Sequence, residues 1–394
     1  MTARHTVAVI GAGDMGHGFA TLFAVKGQSV TLVDHRQSNL DDAAERIREV
    51  VSFLAEEGEA DRDPDAVVDD TEFTTDLAAG VADADLVLES VPEDLSVKRD
   101  TYREVAEHAP DTAVLASNTS GIPITDIAAA VPDHAGRVVG CHWWYPPYLL
   151  PSVEVVRGEE TTDETVGRVR DFLDAVDRKP VMVKRDIPGF VWNRIQMAIF
   201  RESLHLVEEG VTSFEDIDRA IRDGYALRTA AIGPFETMDI AGLDLVRTVL
   251  GNLSPHLCDD DEASPLFEEY LEKGRGGIHD GAGFYDYDRS PGKITHDRDE
   301  TVMALRRAGE ELEERRSSRW GNCRRRRHRR SALAWLQHEK SESPEGSRGS
   351  NAVAETLGRS VTTAGTASAA RMAGGAYRSV ASTPAGTPSN RPNR

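Results

Sequence analysis

Cysteine and lysine are both scarce in this 394-residue chain, which holds three of the first and seven of the second. Cys141, Cys258 and Cys323 stand far apart with no ligand-type spacing, so neither a disulfide framework nor a metal site is expected, and a reducing cytoplasm fits. Long apolar runs are missing as well. No stretch approaches the roughly 18 continuous apolar residues of a membrane span. The opening residues, MTARHTVAVIG, pass straight into a short strand-like run and lack the apolar core and cleavage site of an export signal. A cytoplasmic location and no membrane partner are therefore expected.

Positive charge is thin over most of the length. The formal net charge is −21, and it hides a split. Residues 317–394 carry 14 Lys+Arg and 4 Asp+Glu, a net of +10; residues 1–316 carry 32 basic and 63 acidic side chains, a net of −31. A surface rich in carboxylates and poor in lysine suits a protein kept soluble at high salt, where self-repulsion is screened, and it predicts a halophilic source. It argues against nucleic acid as the partner of the main body. The tail, residues 316–394, starts near RRRRHRRS and continues in Ser, Gly, Ala, Thr and Pro with no apolar periodicity. It is expected to be disordered and dispensable, the other reading being a basic arm for nucleic acid.

What is present is alternation. TVAVIG, SVTLVD, ADLVLESV, TAVLASN and RVVGCHW are short apolar runs separated by segments of helical period, the longest from Leu40 to about Glu57 before an acidic loop through Asp70. Apolar strands alternating with helices predict a parallel sheet covered on both faces. Near Asp186 the pattern changes to helix after helix, among them SFEDIDRAIRDG, opened by a serine cap. The expected architecture is an α/β Rossmann domain over residues 1–185, then an all-α domain over 186–315, then the tail.

The first strand runs into Gly11-Ala12-Gly13-Asp14-Met15-Gly16, which opens a helix, and the next strand ends at Asp34. Gly11 permits the tight turn, Gly13 lets a pyrophosphate approach the backbone, and Gly16 permits close helix–sheet packing. The helix N-terminus offers free N–H groups to phosphate. Asp34 would bind the ribose hydroxyls and repel a 2′-phosphate, which favours NAD; Arg36 could soften that preference.

In GCHWWYPPYLLPSVEVV, one histidine and one acid, His142 and Glu154, sit in apolar strands on either side of a proline turn. Buried ionisable groups must find partners. They either form a core hydrogen bond or a catalytic pair. Imidazole ordinarily titrates nearest neutrality and can take the proton from a secondary alcohol, while a carboxylate on its far nitrogen fixes the tautomer.

LVLESVPEDLSVK, ASNTSGIPIT, GCHWWYPPYLLPSVEVV, DIPGFVWNRI, GPFETMDIAGLD and GAGFYDY follow in order over roughly residues 5–290, and together they resemble the 3-hydroxyacyl-CoA dehydrogenase family. The resemblance implies NAD-dependent oxidation of a (3S)-hydroxyacyl-CoA to the 3-oxoacyl-CoA. It makes His142 the acid/base and Glu154 its orienting carboxylate. Ser120 would hydrogen-bond the substrate hydroxyl near the nicotinamide, and Asn193 would reach the site from the first helix of the second domain. Glu93 and Lys98 are placed near the nicotinamide ribose. Asn118 either caps its own loop or takes a direct part. A homodimer through the helical domain is also implied.

Two positions depart from the family. Tyr145 stands where the family usually has asparagine. LAEEGEADRDPDA lacks the lysine that commonly meets the CoA phosphates, leaving Arg46, Arg48 and Arg62 as the nearest cations in an acidic neighbourhood. PPYLLPSVEVVRG also looks like relatives that oxidise small 3-hydroxy compounds without CoA, such as carnitine or gulonate dehydrogenases. A non-catalytic relative that keeps the fold and NADH is the remaining alternative.

Overall fold

The computed structural model describes residues 4–319. Beyond Arg319 the expected tail, with Cys323, lies outside the described residues. Eight strands form one sheet: β1 (Thr6–Ile10), β2 (Ser29–Val33), β3 (Thr71–Thr74), β4 (Leu86–Glu89), β5 (Val114–Ser117), β6 (Val138–Trp143), β7 (Ser152–Val156) and β8 (Lys179–Val183). Their order is β3-β2-β1-β4-β5-β6-β7-β8. The first six pair in parallel, in the 3-2-1-4-5-6 order of a dinucleotide-binding sheet. Val and Leu fill both faces of the central strands, as a sheet covered on two sides requires.

The sheet is not parallel throughout. β6 and β7 are antiparallel, and β8 pairs in parallel with β7. Residues 144–151 between β6 and β7 are too few for the crossover that parallel neighbours need, so the chain folds straight back. That reversal sets His142 directly opposite Glu154. The acidic loop expected through Asp70 instead contains a short helix, and directly after it comes the edge strand β3, whose TEFT sequence is too brief and too polar to stand out.

Helices α1 (Asp14–Val25), α2 (Gln37–Glu56), α3 (Pro64–Asp69), α4 (Leu77–Val81), α5 (Leu95–His108), α6 (Ile124–Ala128) and α7 (Asp163–Ala175) cover the two faces. Asp63, Asp76, Asp94 and Thr162 cap four of them by accepting a backbone N–H of the first turn. One apolar cluster gathers Phe19, Phe23, Leu32, Trp143 and Phe172 on one face, and a second gathers Ile10, Tyr102, Leu115, Ile124 and Phe190 on the other.

The rest is helical: α8 (Trp192–Glu208), α9 (Phe214–Arg219), α10 (Leu227–Ala231), α11 (Pro234–Ala241), α12 (Leu243–Leu253), α13 (Leu266–Glu272) and α14 (Pro291–Arg319). Ser213 caps α9, accepting the Asp216 N–H at 3.2 Å, and a π-helical segment, Ala220–Ala226, joins α9 to α10. None of α8 to α13 holds a fully buried residue. The long α14 behaves differently: it returns to the sheet, where Met303 enters the first core cluster. Among the described residues no helix is long and apolar enough to cross a membrane.

Candidate active site

A cleft of about 1000 Å³ runs along the carboxyl ends of the strands, from Gly11 and Asp34 at one end to His142, Trp192 and Asn193 at the other. This is where open α/β sheets bind ligands, at the point where strand order reverses.

The nucleotide end follows from the glycines. Gly11 has φ +100°, and a Cβ there would lie 2.5 Å from the Ser90 carbonyl oxygen. A Cβ on Gly16 would lie 1.8 Å from Gly11 O, so helix and turn can pack this closely only without side chains. At Gly13 a Cβ would meet nothing within 4 Å, which leaves the backbone open toward the cleft. The Asp34 carboxylate accepts the Ala12 N–H at 2.9 Å, the Arg36 N–H at 3.0 Å and the Asn39 amide at 2.9 Å. Asp34 and Asn39 both line the cleft, and the Arg36 side chain does not. An open glycine before a helix N-terminus and a fixed carboxylate one strand away fit NAD: Gly13 and the first turn of α1 would hold the pyrophosphate, and Asp34 the ribose. His17, buried below this turn, donates from Nδ1 to Gly13 O at 2.9 Å, and burial pulls its pKa down to about 4, so it is neutral and structural.

Between the two ends lies a carboxylate clasp that sequence reading missed. Glu93 Oε1 accepts from Thr119 Oγ1 at 2.6 Å, Ser120 N at 2.9 Å, Ser120 Oγ at 3.1 Å and Gly121 N at 3.1 Å. Burial opposes its charge, but the Thr119 bond and the Lys98 ammonium hold its pKa below the usual range. Lys98 is itself buried and does not line the cleft. Its Nζ sits 2.8 Å from Glu89 and 3.2 Å from Glu93, so it reaches the site only through those carboxylates. Glu89, opposite, also accepts from Ser117 Oγ at 2.7 Å; burial raises its pKa against the pull of Lys98. Asn118 is committed to the scaffold, its Oδ1 accepting the Trp143 N–H at 2.9 Å, although it still borders the cleft.

At the far end His142 Nδ1 lies 2.6 Å from Glu154 Oε2, with side chains 7% and 1% exposed. A carboxylate only accepts, so Nδ1 carries the hydrogen, and in the neutral imidazole Nε2 is then the acceptor. The other oxygen of Glu154 accepts the N–H groups of Val191 at 2.9 Å and Trp192 at 3.0 Å, at the start of α8. Phe190 packs on the imidazole, ring centroids 5.8 Å apart. Asn193 donates to the Ser120 carbonyl at 2.7 Å, tying α8 to the loop of the serine. His142, Ser120 and Asn193 all line this end of the cleft. Two indoles, Trp144 and Trp192, stack there with centroids 4.1 Å apart, and Tyr145 stands beside them, 45% exposed.

The three candidate phosphate-binding arginines are spoken for. Arg46 pairs with Asp14 at 2.6 Å, Arg48 with Asp65 at 2.8 Å, and Arg62 with Asp70 and the Ala24 carbonyl. Cys141 is no nucleophile: burial pushes its thiol up to about 12. Away from the cleft the fold brings together His205, Cys258 and Asp260, whose ligand atoms all lie within 4.8 Å of one another. Linear spacing gave no sign of that grouping, because the histidine is 53 residues from the cysteine. Cys258 donates to Asp260 at 3.3 Å.

The description "3-hydroxyacyl-CoA dehydrogenase, NAD binding domain" matches residues 6–187, and "3-hydroxyacyl-CoA dehydrogenase, C-terminal domain" matches residues 189–287. The chain is 37% identical to 5-formyl-3-hydroxy-2-methylpyridine 4-carboxylate 5-dehydrogenase of Mesorhizobium japonicum, over 76% of this chain and 97% of that protein. It is 36% identical to the "Probable 3-hydroxybutyryl-CoA dehydrogenase" of Deinococcus radiodurans, over 71% and 99%. It is 35% identical to L-carnitine dehydrogenase of Oceanobacillus iheyensis, over 76% and 96%. Among solved structures, a 5-formyl-3-hydroxy-2-methylpyridine 4-carboxylic acid 5-dehydrogenase, described as an NAD+ dependent dismutase, superposes with a TM-score of 0.72 at 35% identity, covering 78% of this chain and 99% of its own.

Proposed function

The chain belongs to the 3-hydroxyacyl-CoA dehydrogenase family, and from that premise we propose that it oxidises, with NAD, the secondary alcohol of a small 3-hydroxy compound that carries no coenzyme A. NAD, when bound, supplies the hydride acceptor. The residues of the chain do the rest. His142 Nε2 takes the hydroxyl proton, and the Glu154 carboxylate on Nδ1 stabilises the charge as it forms. Ser120 positions the hydroxyl by turning its own O–H away from Glu93. Asn193, fixed by Ser120 O, faces the substrate carbonyl or carboxylate. Trp144 and Trp192 give this end of the cleft an aromatic wall suited to a flat ring or a quaternary ammonium.

The absence of coenzyme A from the substrate rests on one observation: Arg46, Arg48 and Arg62 are each paired with a carboxylate of the protein. A polyphosphate would have to displace those acids, and the carboxylates of Glu56, Asp61 and Asp63 nearby would repel it. The acyl-CoA substrate of the family name is the second reading, favoured by the two family matches and by salt screening of that repulsion. NADH oxidation in molar KCl separates them. Turnover with dehydrocarnitine or acetoacetate and none with acetoacetyl-CoA is the expected outcome; fast turnover confined to the thioester would return the enzyme to acyl-CoA chemistry.

A homodimer belongs to the same reading. Leu227, Phe235, Ile240, Leu243 and Leu245 are 59–80% exposed along α10 to α12. An apolar surface of this extent on helices without buried residues needs a cover, and a second copy, joined as the family joins, supplies one.

A further inference from the structure

Helix α14 begins after residue 287, where the family match ends, yet it is attached to the turn that carries Tyr145. Tyr148 donates its hydroxyl proton to Asp299 Oδ2 at 2.9 Å, with both residues buried. Asp299 Oδ1 in turn holds the neighbouring Arg298, at 2.8 Å from Nε and 2.6 Å from Nη2. The Arg298 guanidinium then lies 5.0 Å from the centre of the Tyr145 ring. From the other side Arg178 donates to the carbonyls of Pro147 and Tyr148, each at 3.2 Å, and Pro147 presses on α1 at Gly18, where a Cβ would come within 2.8 Å. The turn from Tyr145 to Tyr148 is thus gripped between Arg178 and α14, three residues downstream of His142. Tyr145 is otherwise half free, and it lines the substrate end of the cleft.

We infer that Arg298 and Asp299 are positioning residues for substrate recognition, α14 acting as a strap that fixes the Tyr145 ring as a wall of the substrate pocket where the family usually has an asparagine. The strap is held along its length. His296 packs edge-on against Phe53 at 5.5 Å, Met303 is buried in the core, Arg306 and Arg307 bind Glu59, and Lys179 meets Glu313 at 2.9 Å. An aromatic ring pinned by a cation discriminates by shape and touches no reacting atom. Its loss should alter substrate affinity and leave the proton transfer alone.

The inference rests on the proposed cleft but not on which substrate fills it, so the test uses whichever ketone the wild type reduces. Arg298→Ala should raise the KM for that ketone roughly 3- to 10-fold, the range of a partly desolvated cation–π contact. The kcat and the KM for NADH should stay within about twofold, and Arg298→Lys should recover most of the change. An unchanged ketone KM, or a parallel rise in both KM values, would overturn it. A readout without substrate covers every other case. The amides of Leu149 and Leu150, bonded to Pro146 O at 3.1 and 3.2 Å, should exchange faster in Asp299→Asn and Tyr148→Phe while β1 stays protected. Unchanged exchange there would also sink the strap. Turnover of a CoA thioester alone would refute the substrate reading and leave this inference standing on its own KM.

Discussion

At Glu154 one oxygen holds the Nδ1–H of His142 while the other takes the N–H groups of Val191 and Trp192. The carboxylate is therefore fully matched: its charge is met by an imidazole on one side and by the start of α8 on the other. Glu154→Gln can keep the bonds to α8 but turns an amide N–H toward Nδ1. That reverses the tautomer and places a hydrogen on Nε2. The expected result is a kcat lower by ~10²–10⁴-fold, with His142→Gln falling as far, while NADH affinity by fluorescence titration is little changed. Near-normal turnover in either variant would remove His142 from the chemistry. The types and order of His142, Glu154, Ser120 and Asn193 were legible in the chain, since three lie in motifs beside a strand end or helix start and Glu154 is the single acid of an apolar strand. The clasp made by Glu93 was not, because its partners Thr119, Ser120 and Gly121 are 26 to 28 residues away. The burial of Lys98 was not legible either: Glu93 and Glu89 lie five and nine residues before it, and only the folded chain closes them around its ammonium.

Among the elements, those that bury an apolar face were readable and those held by charge were not. β1, β2, β4, β5 and β6 announce themselves as Val/Leu runs, and α2 by its spacing of Leu40, Ala43, Ile47, Val51 and Leu54. α14 buries little besides Met303 and Asp299 and is held largely by partners 247 to 250 residues distant, Arg306 and Arg307 on Glu57 and Glu59. No local pattern can foretell such pairs. Their pH dependence is a direct consequence. Burial works against the Glu59 charge, but the hydrogen bond and charge of Arg306, then those of Arg307, carry its pKa below the ordinary carboxylate value of 4.5. A carboxylate depressed in the folded state adds stability that is complete above its unfolded pKa and is lost as pH falls through the folded one. Melting temperature should therefore drop between about pH 4.5 and the more acid folded pKa, and Glu59→Gln should flatten part of that drop while lowering Tm at pH 7. Parallel Tm–pH curves for the two proteins would show that the pairs of Glu59 with Arg306 and Arg307 contribute nothing.

For the whole molecule two opposed surfaces decide the behaviour. Residues 1–316 carry a net −31, yet the same stretch exposes Leu227, Phe235, Ile240 and Leu243 at 64–80% of their full area. Pressing two such copies together buries apolar area but brings like charges close. In dilute buffer the repulsion acts over tens of ångströms, whereas in 1 M salt the screening length is about 3 Å and the apolar contact is unopposed. Association should thus strengthen with salt, the reverse of a complex built on ion pairs. Light scattering across KCl concentrations is expected to give a dimer at 1 M and above, with dissociation and falling NADH-oxidising activity on dialysis into dilute buffer. Glutamate in place of Phe235 and Leu243, neither of which lines the cleft, should shift that transition to higher salt without changing the NADH affinity of the monomer. A monomer at every salt concentration would leave the helices of the C-terminal half uncovered and would refute the dimer. A dimer indifferent to salt would show that the acidic charge lies away from the contact and serves solubility alone.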